Sequence, residues 1–429
     1  MFLNTQLKDF ETSSFCSPAA ARDLPGFSQF VLQFSIEMSK DFATRSLYMS
    51  EETPLTNETN TDGTLTNGAD TDETAGLTQF QLKRRWESSP HPYIFFNPDH
   101  HSMTFLGFNI ERHSGNLIDQ QTGRILKANL MSRDLYRRLY QNRVNLNENF
   151  NDLKRLDRIS KLCSVMGIDA CSDPDFDPDP SYELTPDNAK KILAIYMRFR
   201  CNIPVIIMGE TGCGKTRLIK FMCDLQRPVG TEIRNMILMK IHGGTTSQNI
   251  TEKVTEAATL AKENSEEYGQ DFYTVLFFDE ANTTEAIGLI KEIMCDGTMN
   301  GEMLNVNGNL KIVAACNPYR KHTNEMIKRL ENAGLGYHVD ADATPDKLGR
   351  VPMRRLVYRV QPLPSSMLPL VWDFGQLNVQ IEELYIQQMA KRANECSFVS
   401  LRDVERVIIV MSWVLTQGDL LRNIRIKLK

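Results

Sequence analysis

The middle of the chain carries three continuous apolar runs, at residues 204–208, 274–278 and 311–316. Runs of this length without alternating polar positions are typical of parallel strands that are buried on both faces. A fourth strand is expected at residues 356–360. Together these strands predict an α/β domain, built on a parallel sheet that is flanked by helices.

Helical patterns alternate with the apolar runs. Thr185 is expected to cap a helix in which Pro186 takes the first position and the apolar positions recur on one face. A second helix is expected at residues 217–225. Ser400 and Asp403 have the spacing of a capping box, which predicts a helix near the carboxyl end.

Composition changes the picture at the amino terminus. Residues 44–78 are rich in Thr, Asn, Asp, Glu and Gly, and such a segment buries too little apolar surface to offset its ordering entropy. The whole region 1–83 is therefore predicted to be mostly disordered. Residues 27–34 are more apolar and are the candidate for a short docking helix.

Residues 84–180 give mixed signals. Strand-like runs are found at 93–96 and 103–106, and residues 130–156 have a helical composition. The acidic, proline-rich segment 173–180 is interpreted as a linker. His100 and His101 are interpreted as part of a polar turn, because no cluster of Cys or carboxylate residues has metal-ligand spacing.

Charge and cysteine usage exclude several classes of protein. The formal net charge of -5 gives no reason to expect a nucleic-acid partner. No apolar run approaches the roughly 20 residues of a membrane-spanning helix, and the amino terminus lacks the pattern of a secretory signal. None of the nine cysteines forms a C-x-x-C pair, so a zinc ribbon or RING is not expected. The cysteines are instead expected to be reduced thiols in a cytoplasmic protein.

The first apolar run ends in a glycine-rich segment. Gly209, Gly212 and Gly214 permit a tight turn with inward N–H groups, which forms an anion site at a helix N-terminus. Lys215 supplies a charge for the β- and γ-phosphates, and Thr216 a hydroxyl for Mg²⁺. The segment therefore predicts binding of ATP with Mg²⁺. Its predicted nucleotide-binding residues are Gly209, Glu210, Thr211, Gly212, Cys213, Gly214, Lys215 and Thr216.

The other two runs end in polar residues with separate expected tasks. Asp279 follows the second run and is a candidate ligand of Mg²⁺, together with Thr216. The adjacent Glu280 is a candidate base that polarises the attacking water. Asn317 follows the third run and is expected to position the water or the γ-phosphate. Since the carboxyl ends of parallel strands meet at one edge of a sheet, these residues are expected to converge there.

Two arginines are candidates for contacts with the nucleotide. Arg355 precedes the fourth expected strand and is a candidate arginine finger toward a neighbouring module; a solvated basic patch is the alternative. Arg402 lies in the first turn of the helix that Ser400 begins, and is a candidate sensor of the γ-phosphate. A plain surface arginine is the alternative there.

The order of these motifs resembles that of AAA+ ATPases: Walker A at 209–216, Walker B ending in Asp279 and Glu280, sensor 1 at Asn317 and sensor 2 at Arg402. The segment from Asp279 to Asn282, followed by a helix and a hairpin expected at 296–309, resembles the dynein-like and midasin-like branch.

A closer resemblance is to the mysterin-type giant RING-finger E3 ubiquitin ligases, carried by residues 203–221, 276–286, 314–323 and 370–377. It covers roughly residues 90–413. It implies an ATP-hydrolysing module with neighbouring AAA+ modules as partners, in the same chain or in an oligomer. It also implies ubiquitin machinery, cytoplasmic location and lipid-droplet association. Ubiquitin transfer itself is not expected here, because the chain has no RING.

With this resemblance, four regions are expected: a mostly disordered region 1–83, a mixed flanking and linker segment 84–180, the large α/β subdomain of a P-loop NTPase of AAA+ type at 181–365, and a helical lid at 366–429. The lid is expected to be short, because only residues 393–399 separate the helix expected at 381–392 from that of Arg402.

The leading hypothesis is an ATPase module that couples nucleotide state to conformational change. One alternative is a regulatory module that holds ATP with little turnover, and another is a scaffold with an incidental site. A GTPase is disfavoured: residues 346–349 fit D-x-x-G, but no apolar strand precedes them and no N-K-x-D follows.

Overall fold

The computed structural model describes residues 2–43, residues 91–319 with gaps at 121, 143, 151, 169–174, 229–230 and 305–307, and residues 356–375. It further describes residues 322, 326–327, 329, 347–348, 351–352 and 406–411.

The helices are α1 (Phe2–Thr12), α2 (Pro18–Asp23), α3 (Phe27–Ala43), α4 (Arg133–Gln141), α5 (Arg155–Met166), α6 (Pro186–Arg200), α7 (Lys215–Leu225), α8 (Ser247–Tyr268) and α9 (Ile287–Lys291). The strands are β1 (Tyr93–Phe96), β2 (Met103–Leu106), β3 (Phe108–Ile110), β4 (Leu117–Asp119), β5 (Ile125–Lys127), β6 (Val205–Gly209), β7 (Met236–Lys240), β8 (Thr274–Asp279), β9 (Thr298–Met299), β10 (Glu302–Met303), β11 (Leu310–Cys316), β12 (Lys347–Leu348), β13 (Val351–Pro352) and β14 (Val371–Gly375).

Five parallel strands form the central sheet, in the order β14-β6-β11-β8-β7. The three strands expected from the apolar runs occupy its middle, because strands with neighbours on both edges and helices on both faces need apolar side chains throughout. The sheet has β11 between β6 and β8, so the residues that follow these three strands lie side by side at one edge.

Alternate side chains of the sheet enter two separate cores. Val205 and Ile207 of β6 pack with α1, α3 and α5–α7, and we call this the first core. Ile206 and Met208 pack on the other side with α8, α9 and residues 356–368, which is the second core. This alternation follows from the two-residue period of a strand, and it explains why every residue of β6 is buried.

The strand expected at 356–360 is not found. Leu356 makes a single bridge and the next four residues are bends and coil. The position beside β6 is taken by β14 instead. Leu356 and Val360 are buried in the second core without joining the sheet, whereas Trp372 and Phe374 of β14 reach the first core. The sheet therefore continues into the range 366–429, where only a helical lid was expected; residues 376–405 lie outside the described part of the chain.

The prediction that residues 1–83 are mostly disordered is wrong for the part that the structure describes. Residues 2–43 contain three helices, and α3 extends well beyond the short helix expected at 27–34. Phe27, Phe30, Phe34 and Met38 recur on one face of α3 and are buried in the first core. The compositional argument for residues 44–78 does not hold for this aromatic stripe. Those residues themselves lie outside the described ranges.

Of residues 130–156, which have a helical composition, α4 (Arg133–Gln141) is helical and is followed by a turn-rich segment that leads into α5 at Arg155. Within the turn-rich segment, the Asn147 side chain bonds to the backbone of β3. Its Oδ1 accepts from the Ile110 N–H at 2.8 Å, and its Nδ2 donates to the Ile110 carbonyl at 3.3 Å.

Other expectations are met around the site. Thr185 caps α6, with its hydroxyl accepting from Asn188 N–H, and α7 follows the glycine-rich loop. The hairpin expected at 296–309 is present as β9 and β10. No helix in the described part of the chain is both long and apolar enough to cross a membrane.

Candidate nucleotide-binding site

The glycine-rich loop joins β6 to the N-terminus of α7. Gly212 and Gly214 both have φ of +87°, a left-handed conformation that side chains with a Cβ rarely adopt. Gly214 is the residue before the first turn of α7. The two left-handed glycines therefore turn the chain sharply into a helix, whose free N–H groups and dipole make the loop suited to an anion.

Lys215 lies inside the curve of this loop. Its ammonium donates to the carbonyl of Gly209 at 2.7 Å and to that of Glu210 at 2.9 Å. The side chain is only 8% exposed, so its charge is held close to the loop by backbone dipoles rather than by a carboxylate. A cation in this position attracts phosphate oxygens that approach the N–H groups of the loop.

Thr216 and Asp279 are brought together across the sheet. The Thr216 hydroxyl donates to Asp279 Oδ2 at 3.1 Å, although β11 separates the strands β6 and β8 that lead to them. The backbone of Asp279 is fixed as well, because its carbonyl accepts from the Ile241 N–H at 2.9 Å. A hydroxyl and a carboxylate at this separation are the kind of oxygen pair that Mg²⁺ binds.

Glu280 has a backbone conformation that is unusual for a residue other than glycine. Its φ is 61° and its ψ is 39°, which costs about 1 kcal/mol or more. The carbonyl of Glu280 accepts from the N–H and the hydroxyl of Thr283, at 3.0 and 2.8 Å. The short helical turn Ala281–Thr283 thus holds Glu280 in this conformation directly after the strand end.

Asn317 is held by a reciprocal pair of hydrogen bonds with Asn282. The Asn317 N–H donates to Asn282 Oδ1 at 3.0 Å, and Asn282 Nδ2 donates to the Asn317 carbonyl at 2.9 Å. Both residues are buried. The Asn317 side chain lies over the loop, where its Oδ1 accepts from the Thr211 hydroxyl at 3.4 Å. The ends of β8 and β11 are therefore tied to each other and to the loop.

Sequence reasoning missed Asn282, Tyr319 and Tyr358. Asn282 was visible as a polar residue close to the end of a buried strand, but nothing in its position showed which backbone it would bind. Tyr358 was assigned to a strand, and its hydroxyl instead donates to Glu210 Oε2 at 2.6 Å. The Tyr319 hydroxyl donates to the Gln361 carbonyl and accepts from the Leu363 N–H.

Burial perturbs the acidic groups at this edge of the sheet. It raises the pKa of the Cys316 thiol to about 12, so the group directly before Asn317 stays uncharged at neutral pH. Burial also raises the pKa of Tyr319. The pKa of Tyr358 is raised by burial and by its hydrogen bond to the Glu210 carboxylate. Both phenols are therefore hydrogen-bond donors at neutral pH.

Four other residues were singled out in the sequence: Arg355, Arg402, His100 and His101. Arg355 and Arg402 are outside the described residues, so their roles stay predictions. His100 and His101 form a polar turn in which Asp99 accepts from two backbone N–H groups. Among the residues described, no three His, Cys, Asp or Glu side chains come together as a metal site.

The chain is similar in sequence to several known proteins. Residues 182–320 match the family model described as the RNF213 AAA domain. Over 98% of its length the chain is 49% identical to the E3 ubiquitin-protein ligase rnf213-beta of Danio rerio, of which it covers 9%. Over 98% and 96% of its length it is 49% and 48% identical to the E3 ubiquitin-protein ligases RNF213 of Mus musculus and Homo sapiens, and it covers 8% of each.

The chain is also similar to a solved structure, a closed-state reconstruction of Hsp104 with ATPγS and FITC casein. The match covers 55% of this chain and 46% of the Hsp104 chain, with 12% identity and a TM-score of 0.31. That likeness is too low to support a conclusion. The fold is of the AAA+ type on the strength of the five-stranded parallel sheet and the matching family model.

Proposed function

Because the chain belongs to the RNF213 family, in which it supplies an AAA domain, we propose that it binds and hydrolyses ATP as one AAA+ module of a larger ligase. The observation that carries this proposal is the convergence of Lys215, the Thr216–Asp279 pair and Asn317 at the ends of three adjacent parallel strands. Each of the three suits a different part of a bound triphosphate.

Binding rests on the loop. The N–H groups at the start of α7 receive the phosphate oxygens, and the Lys215 ammonium transfers its hydrogen bonds from the loop carbonyls to the β- and γ-phosphates. This exchange requires little movement, because the ammonium already lies within the loop. Glu210, Thr211 and Cys213 contribute mainly backbone groups to the same site.

Thr216 and Asp279 have the oxygen donors that a magnesium ion requires, and their contact fits such a site. Mg²⁺ supplies charge neutralisation on the β- and γ-phosphates when it is bound. Thr216 would hold the ion through its hydroxyl, and Asp279 would hold it directly or through water. Both residues project from rigid elements, α7 and β8, which keeps their positions reproducible between turnovers.

Hydrolysis rests on Glu280 and Asn317. Glu280 accepts the proton of the attacking water, and Asn317 keeps that water or the γ-phosphate in line. The left-handed backbone of Glu280 and the Asn282 pair on Asn317 support these roles, since each restricts the backbone from which one of the two side chains extends. A restricted donor or base loses little entropy in the transition state.

The wider context extends the proposal. The chain spans about 8–9% of the length of its curated relatives, so we propose neighbouring AAA+ modules as its partners and ubiquitin machinery as the assembly that it serves. Nucleotide-driven movement would pass between modules, with Arg355 as the arginine finger and Arg402 as the γ-phosphate sensor. Cytoplasmic location and lipid-droplet association belong to the same proposal.

Turnover of ATP by the 429-residue chain tests the proposal. Glu280→Gln is expected to bind ATP but to lose on the order of a hundredfold in kcat, while Lys215→Ala loses ATP binding itself. Two matched controls are Glu285→Gln and Lys220→Ala, which change exposed residues near the same elements and should leave both quantities unchanged.

The same measurements separate the alternatives. Equally slow hydrolysis by wild type and Glu280→Gln, with both binding ATP, would show a regulatory module that holds nucleotide. Partner binding and assembly that do not respond to Lys215→Ala would show a scaffold. Tighter binding of GTP than of ATP would indicate a GTPase.

A further inference from the structure

A segment beside the site connects the strand ends to the phosphate loop. Residues 356–363, which we call the strap, lie across the second core with Leu356, Val360 and Leu363 buried. The strap forms neither a helix nor a strand, so its position depends on individual hydrogen bonds and on these apolar contacts.

The strap is anchored at the ends of β8 and β11. The Gln361 N–H donates to the Asn282 carbonyl at 2.7 Å. Tyr319 holds the next residues, because its hydroxyl donates to the Gln361 carbonyl at 3.2 Å and accepts from the Leu363 N–H at 2.9 Å. These anchors are adjacent to Glu280 and Asn317, so the strap is fixed to the same backbone that carries both proposed catalytic groups.

Tyr358 extends from the strap to the start of the loop. Its hydroxyl donates to Glu210 Oε2 at 2.6 Å, and its oxygen lies 3.5 Å from the Thr211 N–H. Thr211 is also held from the other side by Asn317. The first two residues of the loop after β6 are thus in contact with the strap on one side and with the end of β11 on the other.

The Glu210 carboxylate creates an electrostatic problem for an anion site. A negative charge within a few ångströms of bound phosphates repels them, and the repulsion depends strongly on where the carboxylate is held. A short hydrogen bond from a phenol restricts the carboxylate to one position and disperses part of its charge. The bond also keeps the loop backbone in one arrangement.

We propose that Tyr358 is a positioning residue for ATP binding, which holds the Glu210 carboxylate and the entrance of the phosphate loop in place from the strap. This inference rests on the proposed function, since it assigns a role within the same site. It makes the strap part of the nucleotide site, and it gives ATP a direct mechanical connection to a segment outside the sheet.

The test measures the Kd for a fluorescent ATP analogue with Mg²⁺ in the full chain. Tyr358→Phe removes one hydroxyl and keeps the ring, and it is expected to raise the Kd about tenfold, the size of a charged hydrogen bond. In a Glu210→Ala background the same substitution should change the Kd by less than about twofold, because the carboxylate is gone and only the long contact with the Thr211 N–H remains. The effect should also shrink at high salt.

A control is present on the surface. The Tyr268 hydroxyl donates to Glu267 Oε1 at the same 2.6 Å, far along α8, so Tyr268→Phe removes an equivalent bond and should leave the Kd unchanged. Urea unfolding of the nucleotide-free variants shows whether Tyr358→Phe remains folded.

Three outcomes would overturn the proposal. The Kd is unaffected by Tyr358→Phe while wild type binds ATP, which removes the role of Tyr358 and leaves the proposed function standing. The Kd rises equally with and without Glu210, which assigns the effect to folding of the strap alone. Wild type itself fails to bind ATP, which removes the proposed function and this inference together.

Discussion

The two faces of the central sheet are covered by different kinds of contact. On the first core, helices from the amino-terminal part of the chain pack through aromatic rings, and the Asp9–Arg200 ion pair joins α1 to α6. On the second core, α8 and α9 pack through apolar side chains, and the strap is tied to the ends of β8 and β11 by polar contacts of Asn282 and Tyr319. We infer that the apolar contacts of the first core mainly stabilise the fold, and that the polar contacts of Asn282 and Tyr319 connect the strap to the proposed nucleotide site.

The largest expected effect comes from an aromatic ring of the first core. Phe34 is 0% exposed and its ring centroid lies 4.7 Å from that of Phe108. Phe34→Ala should lower the free energy of unfolding by about 3–5 kcal/mol, because it leaves a cavity. Leu32→Ala on the same helix, at a side chain 44% exposed, is the control. An ATP affinity that falls with Phe34→Ala in the folded protein would contradict a purely stabilising role of this ring.

The next largest effect concerns a buried lysine, whose replacement is expected to raise the free energy of unfolding. Burial lowers the pKa of Lys311 from 10.5 to about 8, although its ammonium donates to Asn202 Oδ1 and lies 4.7 Å from the centroid of the Tyr273 ring. The folded state therefore binds this proton more weakly than the unfolded state. The stability cost is fully present below pH 8 and is relieved as the pH rises from 8 to 10.5.

Lys311→Met should therefore stabilise the protein at pH 7 by about 2 kcal/mol, the pKa difference less the lost hydrogen bond. The gain should be smaller at pH 9 than at pH 7, measured by urea unfolding. The charge lies on the first face, at the end of the sheet away from the loop. A gain independent of pH would contradict the role of the charge.

The ion pair on the first face should have a smaller, separable effect. Arg200 contacts both carboxylate oxygens of Asp9, at 2.6 and 2.5 Å. A double-mutant cycle with Asp9→Asn and Arg200→Gln is expected to give a coupling of about 1–2 kcal/mol in urea unfolding. A coupling near zero would show that the aromatic contacts alone hold the amino-terminal helices.

The smallest expected change in stability distinguishes the faces directly. Tyr319→Phe on the second face and Tyr196→Phe on the first each remove one buried hydroxyl, whose partners are the strap and the Met166 carbonyl respectively. Each should cost about 1 kcal/mol of unfolding free energy. Only Tyr319→Phe should also lower ATP turnover, several-fold, since it releases the strap near Asn317. Equal turnover in both variants would mean that the second face does not transmit changes at the site.

Several parts of the fold were predictable because their signals are local. The middle strands of the sheet are long apolar runs, and the loop that follows β6 needs glycine where φ is positive, so both can be found by scanning the chain. The aromatic stripe of α3 was also visible, but it was judged together with the polar residues that follow it. A composition averaged over a long region concealed a helix with a clear period.

The sheet type, the phosphate loop and the polar residues at three strand ends, which are the candidates for contacts with ATP, were all predictable from the amino-acid sequence. The position of β14 beside β6, in place of residues 356–360, and the contacts of Asn282 and Tyr358 with the site were not predictable in this way. They depend on contacts between residues that are far apart along the chain. A tyrosine among apolar neighbours looks the same in a strand as in a strap, until the fold places Glu210 next to its hydroxyl.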